Sequence, residues 1–225
     1  MTKSKYRADL DGLRAIAALS VLVYHTYVFK DYFAGFIGVD FFFLISGYLI
    51  TSRIYQEILI QKFSLINFYN RRIRRLLPAL ILVILLSLPI ACLLLLPDQL
   101  LNFVDSVISA IFYFSNFYFF NFSQDYFVQQ KDLLPLLHTW SLSVEQQFYL
   151  VFPIILIFIG KFNKSYLGIL FYLMVIFLVV SSVQSFLNKS LSFYFLHSRI
   201  WELFMGSCLF LFEKKYKNKF NFDKK

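Results

Sequence analysis

The sequence predicts an all-α polytopic membrane protein of about six to seven transmembrane helices, and three observations predict it. Of 225 residues, 59% are hydrophobic and 16% charged, against roughly 45–50% apolar and 25% charged in an ordinary soluble domain. The runs Leu76 to Pro97, Ser106 to Gln124 and Ser165 to Asn188 hold no charged residue, and a helix needs ~20 such residues to cross a hydrocarbon core about 30 Å thick. The net charge of +9 is gathered into blocks between the apolar runs, a pattern that orients membrane helices and argues against nucleic acid as a partner. With no internal repeat and no Gly/Ser linker, residues 1–225 read as one transmembrane domain.

The first span is expected over about Leu13 to Phe29. Lys3, Lys5 and Arg7 ahead of it are like the start of a signal peptide, but Asp9, Asp11 and Arg14 interrupt the approach and no small-residue cleavage site precedes Lys30, so the segment reads as a retained span. A short turn, Lys30 to Gly35, leads to span two, about Phe36 to Tyr55, interrupted only by Asp40. The following segment carries Arg53, Lys62, Arg71, Arg72, Arg74 and Arg75 against the lone Glu57, which places it and the N-terminus in the cytoplasm.

Span three is expected over Leu76 to Leu96, with Pro78 in its first turn, where a missing N–H costs little, and Pro89 as a kink. The run Ser106 to Gln124 is rich in Phe, Tyr and Asn and reads as interfacial or re-entrant rather than as a Leu/Ile span. With that segment partial, spans near Leu142 to Gly160, Ser165 to Ser185 and Arg199 to Phe212 put Lys161, Lys164 and the basic tail inside. Six full spans and one partial one satisfy the charge rule better than seven.

An ionisable residue within a span costs ~2.5–3.5 kcal/mol at its centre on insertion scales, so each calls for an explanation. Arg14 and His25 lie eleven residues apart on span one, close to three helical turns, so both project from one face about 16 Å apart along the axis. Arg14 reaching the inner headgroups and His25 belonging to a polar outer end with Thr26 and Tyr27 is the structural alternative. In NFYNRRIRRLLP, Arg71, Arg72 and Arg75 are spaced i, i+3 and i, i+4 and form, with Arg74, a positive surface at the mouth of span three. Guanidinium groups at that density suit the phosphates of a nucleotide or coenzyme A, and equally an anchor on anionic lipid.

Asp40 precedes an apolar run in which Ser46 and Gly47 permit close helix packing. His138 stands seven residues before Glu145, on a similar face if helical, and Glu202 follows Trp201 at the start of the last span. Cys92 and Cys208 sit in apolar runs and read as small buried hydrophobes, with no metal-ligand spacing and no metal expected.

Taken together, YRADLDGLRAIAALSVLVYH, GFIGVDFFFLISGYLIT, FSLINFYNRRIRRLLPA, PLLHTWSLSVEQQFYLVFP and FYFLHSRIWELFMG resemble successive blocks of the acyltransferase 3 family, in its O-antigen and cell-surface polysaccharide O-acetylase branch. The resemblance runs in order over nearly the whole chain. It implies a multi-pass enzyme of the bacterial inner membrane that takes an acetyl group from cytoplasmic acetyl-CoA and delivers it to a hydroxyl of a lipid-linked or cell-surface glycan such as O-antigen. It further implies that His25 is the essential histidine and Arg14 its companion, and that Arg72 and Arg75, in R-x-x-R-L-L-P, belong to the arginine motif of the acyl donor, flanked by Arg71 and Arg74. For Asp40, Ser46, His138 and Glu145 it implies orienting or structural roles.

Family members with this N-terminal pattern usually continue through about ten spans, enough to enclose a site within the bilayer. The chain is therefore expected to be the N-terminal part of a larger helical bundle, with its C-terminal spans missing and a second chain as the partner that supplies them. The alternative reading is a non-enzymatic transporter of a glycolipid or small molecule, with Arg14, Asp40 and His25 lining a path, although no repeated halves of the transporter kind occur. A third is an inactive truncated relative.

Overall fold

The structure, a computed structural model, describes residues 7–25, 37–124, 134–161 and 165–216. Among the described residues there are nine helices and no strand: α1 (Ala8–His25), α2 (Ile37–Leu59), α3 (Leu65–Leu94), α4 (Pro97–Ile111), α5 (Ser115–Gln124), α6 (Thr139–Lys161), α7 (Tyr166–Leu187), α8 (Lys189–Tyr194) and α9 (Leu196–Tyr216). The all-α membrane class read from composition is the class observed. Four of these helices, α2, α3, α6 and α7, are long and apolar enough to cross a bilayer. The helices α1 and α9 match two further expected spans, but any 18-residue stretch of either holds at least three charged residues. The expected turn at 30–35, Thr26 and Tyr27, and the tail from Lys217 onward lie outside the described residues.

One expectation is corrected. Pro78 does not open span three: the helix begins at Leu65, capped by the Ser64 hydroxyl, which accepts from the Asn67 N–H. The arginine segment and the apolar run are thus one continuous 30-residue helix with Pro78 inside it, where the missing N–H leaves the Arg74 carbonyl without its intrahelical donor. The run Ser106 to Gln124, read as interfacial or re-entrant, forms no single helix. It breaks at Phe112–Phe114, where Phe114 N–H donates to the Ser109 carbonyl and Tyr113 N–H to the Ala110 carbonyl, the paired bonds of a Schellman stop. Tyr113 takes the left-handed position with φ 57°, one that ordinarily favours glycine.

The polar residues of that run are explained by what they bond. Among apolar neighbours a helix break is tolerated only where other groups satisfy the freed backbone. Gln147 of α6 supplies this, its Nε2 donating to the Tyr113 carbonyl at 3.0 Å and to Asn116 Oδ1 at 2.8 Å. Asn116 Nδ2 donates to the Tyr194 carbonyl of α8, and the Ser115 and Ser143 hydroxyls lie 2.7 Å apart. Asn116, Ser115 and Ser143 are all buried, so this network pins α5 to α6 and α8.

The chain divides into two compact units. One draws its described residues from Met1–Arg53, Ser165–Val175 and Trp201–Lys225, the other from Ile54–Lys164 and Ile176–Ile200. In the first, small residues let helices touch. A Cβ on Gly38 of α2 would stand 2.6 Å from the Ala17 carbonyl oxygen of α1, so only glycine permits that approach. In the second unit, α6 is central, with Phe148 and Phe152 stacked at 4.5 Å and both buried along with Val144 and Leu156. The spanning stretches of α3 and α7 are only 17% and 6% buried, leaving long Leu, Ile, Val and Phe surfaces of the kind that lipid covers.

Candidate active site

The residues singled out from sequence fall into two sets. His25, Arg14, Asp40 and Ser46 belong to the first unit, and Arg71, Arg72, Arg74, Arg75, His138 and Glu145 to the second.

In the first unit, α1 carries both His25 and Arg14. His25 is the last residue of α1 and exposed, its ring edge-on to Tyr24. Its Nδ1 lies 2.8 Å from the Val21 carbonyl oxygen. A carbonyl only accepts, so Nδ1 carries the hydrogen, and in the neutral ring Nε2 holds the lone pair. Val21 also lies with Ser20 and Ala17 at the contact with α2, where a Cβ on Gly38 would stand 2.8 Å from Val21 Cγ2 and 2.5 Å from Ser20 Oγ, so the acceptor that orients the imidazole sits at a tight helix contact. Arg14, half-buried, approaches Asp11 at 3.9 Å one turn earlier; no bond joins it to His25 among the described residues. Asp40 lies in the first turn of α2, where the helix dipole favours a carboxylate. Ser46 is buried beside Gly47.

The same unit holds a charged cluster that sequence reasoning missed. Arg7, just ahead of α1, donates from Nε and Nη2 to Asp9 at 2.9 and 2.8 Å, and from Nη1 to the Tyr48 hydroxyl of α2 at 3.0 Å and to Glu213 of α9 at 3.3 Å. Tyr48 donates to Glu213. The bond with Asp9 raises the Arg7 pKa further, and the same bond holds the Asp9 carboxyl below its ordinary value of 3.8. No spacing in the sequence links Arg7 to Tyr48 and Glu213, which are far apart along the chain.

In the second unit, the four arginines of α3 divide into two held and two open. Arg71 Nη2 donates to both carboxylate oxygens of Glu57 at 2.8 and 2.9 Å. Arg72 lies over the Tyr149 ring of α6, 4.6 Å from its centroid, and 5.7 Å from that of Phe68. Arg74 and Arg75 are exposed and make no hydrogen bond or ion pair among the described residues. Two open guanidinium groups flanked by two fixed ones fit a multiply charged phosphate ligand, since each offers a planar fork of donors.

Tyr149 and Glu57 are the participants that sequence reading did not find. Tyr149 donates its hydroxyl to Glu145, four residues earlier on α6, and that i, i+4 spacing was the one available signal. His138, by contrast, does not share a helix with Glu145: it is exposed in the turn that precedes Thr139, the first residue of α6. The expected common face therefore does not form, because the helix starts too late. Among the described residues no group of three His, Cys, Asp or Glu could hold a metal ion.

Apolar helices of spanning length define a polytopic helical membrane protein, with a helix-end imidazole in its first unit and an arginine cluster in its second. The chain belongs to the acyltransferase 3 family, whose profile, described as an acyltransferase domain, matches residues 7–224. It is 41% identical over 160 residues to the O-acetyltransferase OatA of Staphylococcus aureus strain NCTC 8325, covering 71% of this chain and 26% of that protein. It is also 45% identical over 159 residues to a protein of S. aureus strain MSSA476 described as a candidate O-acetyltransferase, covering 69% of this chain and 25% of that protein. The aligned stretch is thus about a quarter of the length of these relatives. No solved structure matches the chain.

Proposed function

We propose that this domain takes part in O-acetyl transfer, moving an acetyl group from cytoplasmic acetyl-CoA to a hydroxyl of a lipid-linked or cell-surface glycan, O-antigen being one such acceptor, in a bacterial cell membrane with the N-terminus inside. The observation that carries the reading is the His25 Nδ1–H bond to the Val21 carbonyl, which leaves Nε2 as the proton acceptor at the exposed end of α1. General-base catalysis needs that form of the ring.

In this reading His25 Nε2 takes the proton of the sugar hydroxyl while its oxygen attacks the thioester carbonyl. The oxygen–carbon bond forms and the carbon–sulfur bond breaks. The departing thiolate then receives the proton from the imidazolium, giving the acetyl ester and coenzyme A. Arg14, about three turns from His25 on α1, positions the donor, and Arg72 and Arg75 hold coenzyme A phosphates, with Arg71 and Arg74 adding to the local field. Asp40, Ser46, His138 and Glu145 orient or support the helices that carry these groups.

The test is transfer of label from acetyl-CoA to membrane glycan. His25→Ala should lower the rate by about 100-fold or more. A wild-type rate in that variant overturns the assignment. Export of unacetylated glycolipid without label transfer would favour the transporter alternative.

A further inference from the structure

Neither α4 nor α5 has the length to cross a bilayer. They hold 15 and 10 residues, about 22 and 15 Å of helix, against a hydrocarbon core of about 30 Å. The charges on either side agree. Arg71, Arg72, Arg74 and Arg75 stand in the first half of α3 and Lys161 closes α6, so the end of α3 and the start of α6 share the side away from the basic residues. A chain that leaves and re-enters on one side makes no net crossing.

The two short helices fold back on each other. The Tyr118 hydroxyl of α5 donates to the Asn102 carbonyl of α4 at 2.9 Å across a separation of 16 residues, which an unbroken helix would hold about 24 Å apart. The stop at Phe112–Phe114 therefore turns the chain back along α4. Its depth is set by Gln147, which donates to the Tyr113 carbonyl at 3.0 Å and lies about 12 Å along α6 from Thr139, its first residue. That places the turn within the half of the hydrocarbon core nearer the start of α6, at a depth where only internal partners satisfy a broken backbone.

The α4 helix presents three faces. Phe103, Ser106 and Ala110 are buried. Leu101, Val104, Ile108 and Ile111, in steps of three and four residues, are exposed, and Phe112 and Phe114 continue that stripe around the turn at 67% and 57% exposure. Asp98, Asn102 and Asp105 share the third face. The apolar stripe begins where the lipid-facing surface of α3 ends, since Leu93 and Leu94 are 85% and 76% exposed and stand just ahead of Pro97.

We infer that α4 and α5 form a re-entrant hairpin whose apolar stripe is covered by the acyl chains of a single leaflet, with the Asp98 and Asp105 face at headgroup level. Continuity with α3 supplies the hydrocarbon neighbour, and the oblique amphipathic helix matches a boundary that is apolar on one side and wet on the other. An acidic rather than basic polar face means that the attraction is to hydrocarbon and not to anionic headgroups.

The test uses the full chain with Cys92→Ala and Cys208→Ala as background and a membrane-impermeant maleimide applied to intact cells and to inverted vesicles. Asp98→Cys and Ser123→Cys should be labelled from the same side, and Lys161→Cys from the other. Ile108→Cys and Phe112→Cys should react at least about tenfold more slowly than Asp98→Cys, because the reactive thiolate forms where water reaches it. Labelling of Asp98→Cys and Ser123→Cys from opposite sides overturns the hairpin. Rates at Ile108→Cys and Phe112→Cys equal to that at Asp98→Cys overturn the lipid contact.

Nitroxide labels on Leu101→Cys, Ile108→Cys and Phe112→Cys, with the chain in phosphatidylcholine vesicles, give a second reading. The ratio of collisions with oxygen to collisions with a water-soluble nickel chelate should rise in that order. Equal ratios describe a helix lying flat on the surface and overturn the re-entrant path. Few collisions with either reagent mark a protein-covered face and overturn lipid as the occupant.

Discussion

Gly47 of α2 and Gly206 of α9 are reciprocal contacts: a Cβ on Gly47 would stand 1.9 Å from the Leu203 carbonyl oxygen, and one on Gly206 1.9 Å from the Leu44 carbonyl oxygen. Each helix presents its backbone to the other at a point where no side chain fits. The approach brings Thr51 within reach of Ser207, the first hydroxyl donating to the second at 2.8 Å and the second to the Leu203 carbonyl at 2.9 Å. Within lipid, where apolar surface offers no preference between helix and tail, close backbone packing of this kind holds helices together.

Gly47→Ala and Gly206→Ala should each destabilise the first unit by about 1–3 kcal/mol, the usual cost of forcing a methyl group into a filled site. Gly12→Ala on α1 is the control, because a Cβ there meets nothing within 4 Å. It should be neutral or stabilising by up to about 1 kcal/mol. Unfolding of the detergent-solubilised chain by heat or SDS, followed by circular dichroism, reads both effects. Equal stability of all three variants would remove the packing argument.

The division of the arginine cluster makes unequal demands on coenzyme A binding. Arg75→Ala, which removes an exposed and uncompensated guanidinium, should weaken binding by about tenfold. Arg71→Ala should cost less than about threefold, because Glu57 already offsets that charge. Isothermal titration of coenzyme A into the purified chain distinguishes the two. A larger loss for Arg71 than for Arg75 would contradict the assignment of held and open groups.

Gln147→Leu should destabilise the second unit by about 1–3 kcal/mol, since it strips the donor from the Tyr113 carbonyl and from Asn116 within an apolar setting. The break between α4 and α5 should open first, so hydrogen exchange at Phe114 to Tyr118 should accelerate more than exchange in the core of α6. Uniform exchange across the unit would show that the network does not hold the break.

The Asp9 carboxyl sets an acid limit on the Arg7 cluster. Its folded pKa is depressed below the ordinary 3.8 by the bond from Arg7, so the folded state binds this proton less readily than the unfolded state. The stabilisation is therefore complete above the unfolded value and is lost as pH falls through the folded one. The melting temperature of the chain should be insensitive to this group between pH 5 and 8, and below about pH 4 the parent should lose more stability than Asp9→Asn. Parallel acid limbs for the two proteins would show that the contact contributes nothing.

Much of the fold was legible because its signals are local. Charge-free runs of spanning length mark α3 and α7 directly, and the small residues around Ser46 and Gly47 forecast a close helix contact, though not its partner. The helix start at Leu65 was less legible, because apolar content drew attention to Leu76 and away from the Ser64 cap twelve residues earlier. The partial character of Ser106 to Gln124 showed in its Phe, Tyr and Asn content. Its actual form, a Schellman stop with Tyr113 in the left-handed region, depends on Gln147 reaching across from α6.

By itself the sequence determined the class of protein and the order of its apolar helices, since hydropathy and charge blocks act over a few turns of chain, and its motifs carried the resemblance to the acyltransferase 3 family. Only the tertiary structure decided which arginines are held and which are open, that Tyr149 lies under Arg72, and that Ala17, Ser20 and Val21 of α1 meet α2 at Gly38. Those relations join residues from different helices, or depend on how closely two helices approach. They are set by packing in three dimensions, where a missing Cβ or a single hydrogen bond chooses the register, and neighbouring letters carry no record of it.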